Sequence, residues 1–365
     1  MRGFIGGLFV GLVAGVILAV TSDSKVGQAP SADAPGAQGN GIPGNPVSWR
    51  MASVFPANMG LSGDTSRAIA LRVSDLTGSN LNLTFHNPGA VVEGLDVFDA
   101  VSSGTIEAAF SSPSFWGSKS RAFELLGGIP FGPKTDEFLA WYHDGGGKKL
   151  AHALYQRHNI HGLICGLNGP VAGGIFRAHV SRIEDLRNKT ISAAGLGARV
   201  LSRAGATTQL HTPQDALAKL RDEQLFGASF MTPLNIDPAV VTETAKHIYF
   251  PGWSQQFSTF DLLIHLRDWN GLHANAKAII EAACAQNIVE SLSHSEGQQF
   301  THLKRLINRG AEIQRWPQGL TEQLKSLWQR EARRLTGNDR DFRRMWESLQ
   351  AFRRDYRIWQ ELGYL

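Results

Sequence analysis

Apolar residues along this chain switch between a period of two and a period of three to four, and they do so in two separate stretches. In the first, Trp49-Arg50-Met51-Ala52-Ser53-Val54 reads as a strand. Residues 65–76 carry Ala68, Leu71 and Leu76 at helical spacing and stop at Gly78. Leu81-Asn82-Leu83-Thr84-Phe85-His86 alternates as a strand does. Residues 94–103 are helical up to Gly104, and Ile106-Glu107-Ala108-Ala109-Phe110 is a further short strand. The second stretch opens with a helical turn at 182–187 and a strand at 189–194. A helix at 196–204 closed by Gly205, a helix at 213–221 and a strand at 225–230 complete it. Strands separated by helices lie parallel, because each crossover returns the chain to the same end of the sheet. Two α/β lobes are therefore expected. From 268 onward the pattern is nearly all helical, punctuated by Pro317 and Gly337.

A chain of 365 residues is long enough for two such lobes. With 42% hydrophobic and 19% charged residues it has globular composition, which excludes the disordered and fibrous classes. The net charge is only +4 and the 36 basic residues are dispersed, so no nucleic-acid footprint is present. The basic runs at 330–334 and 353–357 are broken by Glu331 and Asp355 and read as solvated helix faces. No Gly-x-Ser-x-Gly elbow, HExxH or P-loop occurs. No set of nucleophile, base and orienting group can be assembled either, so an enzyme is not expected. Gly195-Leu196-Gly197 could cradle an anion on backbone N–H groups, but it lacks the third glycine and acidic partner of a dinucleotide site and reads as a loop. His294, Glu296 and His302 are poorly spaced for a metal, and His158 and His161 read as turn residues.

Met1-Arg2 followed by an uncharged apolar run over 4–20 reads as an export signal, because the membrane accepts the apolar core while the basic end stays in the cytoplasm. Ala19-Val20-Thr21 is a poor cleavage region, so residues 1–22 are either a signal peptide or an uncut inner-membrane anchor. Gly3, Gly7, Gly11 and Gly15 would share one groove of a helix there. Residues 23–47, rich in Ala, Gly, Pro and Ser, read as a flexible linker. A periplasmic location follows as an expectation. Of the two cysteines, Cys165 sits in an apolar run and reads as a buried strand residue; their spacing neither demands nor excludes a disulfide with Cys284.

Several phrases carry a resemblance. They are Trp49-Arg50-Met51-Ala52-Ser53-Val54-Phe55-Pro56, Gly94-Leu95-Asp96-Val97-Phe98-Asp99-Ala100-Val101, Ile129-Pro130-Phe131-Gly132 and Gly173-Gly174-Ile175-Phe176-Arg177. Tyr249-Phe250-Pro251-Gly252-Trp253, Ala351-Phe352-Arg353 and the terminal Tyr364-Leu365 follow in order. Together they resemble the DctP-type solute receptors of TRAP transporters, and within them the 2-oxo acid-binding subgroup. The resemblance implies a two-lobed periplasmic binding protein fold, type II-like. Lobe I would span 48–168 and 253–310, lobe II 169–252, and C-terminal helices 311–365. It implies a receptor that captures a small organic carboxylate between the lobes and delivers it to TRAP membrane subunits. A tethered receptor of the same fold used for sensing or scavenging is the alternative.

On the same resemblance Arg177 grips the ligand carboxylate, as a guanidinium offers two parallel donors and a permanent charge. The loop Ser111-Ser112-Pro113-Ser114-Phe115-Trp116 follows a strand, and Phe115 or Trp116 would wall the ligand. The expected binding set is Phe115, Trp116, Asn168, Arg177, Phe230, Trp253 and Gln255. The subgroup also holds a metal ion on side chains that stand here as Ala172, Ser229-Phe230 and Ser254-Gln255. These lack the anionic oxygens a hard cation needs, so neither metal nor other cofactor is expected. Finally, Trp346, Leu349, Phe352, Tyr356 and Trp359 form one helix stripe. It either packs on its own lobes or, as in similar receptors that exchange a terminal helix, makes a homodimer.

Overall fold

The protein was analysed as a computed structural model that describes residues 46–229 and 231–363. The export segment and almost all of the linker fall outside them, as does Phe230. No described helix is long and apolar enough to cross a membrane.

The first lobe is built from β1 (Val47–Ser53), α1 (Gly60–Leu76), β2 (Leu81–His86), α2 (Val97–Ser103) and β3 (Ala108–Ser111). It continues with α3 (Arg121–Gly127), α4 (Thr135–His143), α5 (Gly147–Gln156) and β4 (Ile160–Asn168). The chain then crosses to the second lobe: β5 (Gly174–Phe176), β6 (Thr190–Ser192), α6 (Gly195–Arg203), β7 (Thr207–Gln209), α7 (Pro213–Arg221), β8 (Gly227–Ala228), α8 (Pro238–Glu243) and β9 (His247–Phe250). It returns through β10 (Ser258–His265), α9 (Leu266–Gly271) and the long α10 (Ala274–Asn308). It ends in β11 (Glu312–Arg315), α11 (Gln318–Asn338) and α12 (Arg340–Gly363).

The first sheet has the order β2-β1-β3-β10-β4 and the second β11-β9-β5-β8-β6-β7. In each, one strand opposes its neighbours: β10 runs antiparallel to β3 and β4, and β5 antiparallel to β8 and β9. These are the strands by which the chain enters each lobe from the other. A strand entered from the cleft must run away from it, whereas the strands around it arrive by crossover and end at the cleft.

β4 is buried at every position, because α10 covers one side and α5 also packs on it, so it shows no alternation. α7 starts where the Thr212 side chain accepts from the Asp215 N–H at 3.2 Å with Pro213 in the first turn, a start signal readable in sequence. Cys165 of β4 and Cys284 of α10 form a disulfide.

Four local expectations change. β1 opens at Val47, inside the span read as linker. The strand at 225–230 shrinks to Gly227–Ala228. Residues 312–315, read as part of the C-terminal helices, form β11 and extend the second sheet beside β9. Gly337 does not break α11, which runs on to Asn338. α12 lies over α3, α4 and α5 of its own chain, burying Phe342, Met345 and Leu349. Beyond them Ile358 and Leu362 stay exposed.

Candidate functional site

The C-terminal ends of β1, β3 and β4 and the start of β10 meet those of β6 and β8 across a narrow cleft. Ser112, Phe115 and Asn168 from the first lobe face Ala194, Met231 and Thr232 from the second, and Gln255 comes from the returning crossing. None of the described residues lining it is charged.

Gln255 is oriented unambiguously. Its Nε2 donates to the Gly127 carbonyl at 3.2 Å and to Ser114 Oγ at 3.1 Å. Its Oε1 is therefore the end left over, and it is buried without a partner. Gly128 makes the room: its φ is +145°, and a Cβ there would stand 2.7 Å from Gln255 Cγ. Asn168 Oδ1, Thr232 Oγ1 and Asn235 Oδ1 are likewise buried and without a partner among the described residues. A buried polar atom left unpaired costs about 1–3 kcal/mol, so four around one cleft are ordinarily tolerated only where something else completes them.

Beside this group the chain begins α6. Its N-cap residue Ala194 supplies no side-chain bond, so the first amides have no cap. A Cβ on Gly195 would lie 3.5 Å from Ser114, the residue that holds Gln255, so the helix start and the orphaned amide are neighbours. Gly195-Leu196-Gly197 is thus the opening of a helix at the cleft, not only a loop. Next to it Arg199 of α6 reaches across to Glu124 of α3 at 2.7 and 3.2 Å, an ion pair joining the lobes. Burial nevertheless pushes the Glu124 carboxyl above its usual range.

Of the expected binding residues, Phe115, Asn168 and Gln255 line the cleft. Trp116 does not. It is core, 2% exposed, with its Nε1 on Ser111 Oγ and its ring against Phe98. Trp253 stacks on Phe131 and also stays out of the lining. Phe230 lies outside the described residues. Arg177 is displaced for a topological reason: it follows the end of β5, the strand that runs away from the cleft, and pairs there with Glu223. Sequence reasoning overlooked Ser114, Thr232 and Asn235. Ser114 and Thr232 follow the ends of β3 and β8 within four residues, a signal the sequence does carry, whereas Asn235 sits further on in a helical turn and carries none.

Below the 112–116 loop lies Asp261 of β10, wholly buried, bonded by Ser111 and by Tyr155 Oη at 2.6 Å. Burial pushes its carboxyl up to about 6 despite these donors.

Two sheets with an uncharged cleft of unpaired polar groups between them define a two-lobed solute receptor. The chain belongs to the family described as bacterial extracellular solute-binding protein, family 7 (DctP), whose sequence pattern matches residues 53–335. It is 26% identical over 321 residues to a monocarboxylate 2-oxoacid-binding periplasmic protein of Nostoc, covering 87% of each chain. A TRAP transporter solute-binding protein of Bordetella bronchiseptica, described with calcium and picolinate, superposes with TM-score 0.83 at 25% identity over 87% of this chain and 95% of that one. A TRAP periplasmic solute-binding protein of Pseudoalteromonas atlantica, with sodium and pyruvate, shares the fold with TM-score 0.83 at 21% identity, over 87% and 97% of the two chains. The positions read as standing where the subgroup holds its metal carry no anionic oxygen here, being Ala172, Ser229 and Gln255, and no carboxylate lines the cleft among the described residues.

Proposed function

We propose that this protein is the solute receptor of a TRAP-type transporter, and that it captures a small organic carboxylate without an arginine and without a divalent metal. The observation that carries the reading is the set of buried, unpartnered atoms Asn168 Oδ1, Thr232 Oγ1 and Gln255 Oε1 between the lobes. Because the Gln255 amide must present its oxygen, the ligand brings a hydrogen-bond donor as well as its carboxylate, as a hydroxy acid does. The carboxylate itself is met by the uncapped amides and positive end of α6. The protein binds and releases; it performs no reaction. Ligands of the relatives support the carboxylate class: 2-oxoacids for the Nostoc protein, picolinate for that of Bordetella. The first lobe is read as 47–168 with 253–310, and the second as 169–252 joined by 312–315. Exposed Ile358 and Leu362 support a homodimer through the end of α12, which light scattering would reveal.

A thermal-shift screen tests the ligand reading. Hydroxy acids should raise the melting temperature more than 2-oxo acids of equal length, since a ligand bound only by the folded state stabilises it. Stabilisation by neutral polyols alone would exclude the anionic part of the reading.

A further inference from the structure

At the end of the second sheet remote from the cleft, three potential ligands converge from distant parts of the chain. His247 opens β9, and Glu312 opens β11 directly beside it in register. His179 follows β5, whose Phe176 also pairs with His247. The two imidazole rings lie 4.1 Å apart. His247 Nδ1 stands 3.1 Å and His179 Nε2 3.6 Å from the same oxygen, Glu312 Oε2. The other carboxylate oxygen is taken by Lys246 Nζ at 2.6 Å. One atom from each of the three residues falls within 4.8 Å of the others.

We propose that His179, His247 and Glu312 bind a zinc-class transition-metal ion. Two imidazole nitrogens and one carboxylate oxygen with a fourth position open to water are a donor set such ions take, whereas calcium and magnesium prefer oxygen. An ordinary histidine–carboxylate pair would align its N–H with the oxygen. His247 Nδ1 does not: it is buried and makes no aligned hydrogen bond despite the short distance. In the tautomer that carries its proton on Nε2, His247 offers the Nδ1 lone pair to a metal. Donors around a tetrahedral zinc stand roughly 3.3 Å apart. His179, with its side chain 57% exposed, is free to close the remaining gap. The ion would pin β11, which comes from the end of the chain, to β9 and to the segment after β5.

Calorimetry of the full chain, freed of metal and tag, with zinc chloride at about pH 7.5 tests this. One equivalent is expected, together with a higher melting temperature and weaker binding at about pH 5.5, where imidazoles compete for protons. With 12 histidines in the chain, stray binding must be separated. His179→Ala changes an exposed side chain and should remove the single equivalent while the protein stays folded; Glu312→Gln should weaken it. Absence of zinc binding, or zinc binding unchanged in His179→Ala, overturns the proposal. So does a site that takes calcium and refuses zinc.

Discussion

At the cleft end of the second sheet stand Ala194, Met231 and Thr232, with unpaired polar atoms and no charge among the described lining. At the far end of the same strands stand Arg177, His179, His247 and Glu312, all charged or ionisable: Arg177 pairs with Glu223, and both histidines stand close to Glu312. The far end faces solvent, where ion pairs are inexpensive to form and worth little. The cleft end faces the other lobe, where a charge without a partner would oppose closure. In a receptor of this build, then, the functional end of a sheet is marked less by its charges than by the hydrogen bonds it leaves unmade.

That difference breaks most readily at Gln255. Gln255→Glu would set a carboxylate against the bound anion, at a cost of several kcal/mol, so affinity should fall by about 100-fold or more, measured by calorimetry. If affinity survives, the cleft does not receive an anion.

Next in size is Asp261, a buried acid beneath the cleft. Asp261 keeps its proton in the folded protein up to about pH 6 because it is buried, while in the unfolded chain it loses it near the ordinary value of 3.8. The folded pKa is the higher one. Its contribution is therefore fully present below about pH 4 and lost as pH rises through 6, on the order of 3 kcal/mol in all. Urea unfolding of the wild type and Asp261→Asn at about pH 4 and about pH 7 should show that loss only in the wild type. His161, which burial pushes down to about 3, titrates with the opposite sign, but it is common to both proteins and cancels.

Thr232→Val should separate binding from folding. Removing an unpaired hydroxyl should stabilise the ligand-free protein by about 1 kcal/mol and weaken binding by roughly fivefold or more. Loss of both together would make Thr232 a structural residue. Smallest of all, Arg177→Ala should leave ligand affinity unchanged and stability within about 0.5 kcal/mol, because its partner Glu223 is exposed. A large loss of affinity would return Arg177 to the site and void the contrast between the two ends.

The lobes were legible because strands and helices alternate with clear stops at Gly78, Gly104 and Gly205. Phe115 was expected from the family pattern and lines the cleft, whereas Gln255 entered only as a departure from that pattern. Arg177 was misplaced because a motif carries no strand direction: only the antiparallel pairing of β5 with β8 and β9 reveals that it is the reversed strand. β11 escaped because four residues between two helices offer too little alternation to register as a strand. The histidine pair with Glu312 could not be foreseen, as its members lie far apart in sequence and meet only through the pairing of β9 with β5 and β11.

The bond between Cys165 and Cys284 ties β4, whose last residue Asn168 lines the cleft, to α10. α10 also touches the 233–235 turn and α8 of the second lobe. Until that bond forms, β4 and α10 hold together by packing and by hydrogen bonds, Asn287 Nδ2 donating to the Cys165 carbonyl at 2.7 Å and the Leu167 N–H to Ser291 Oγ at 2.9 Å. Thiols stay reduced in the cytosol and oxidise outside it. A chain that has not yet reached the extracytoplasmic space therefore has a looser frame, easier to unfold. The same chain stiffens once across, so the address at which it works is also where its assembly is finished.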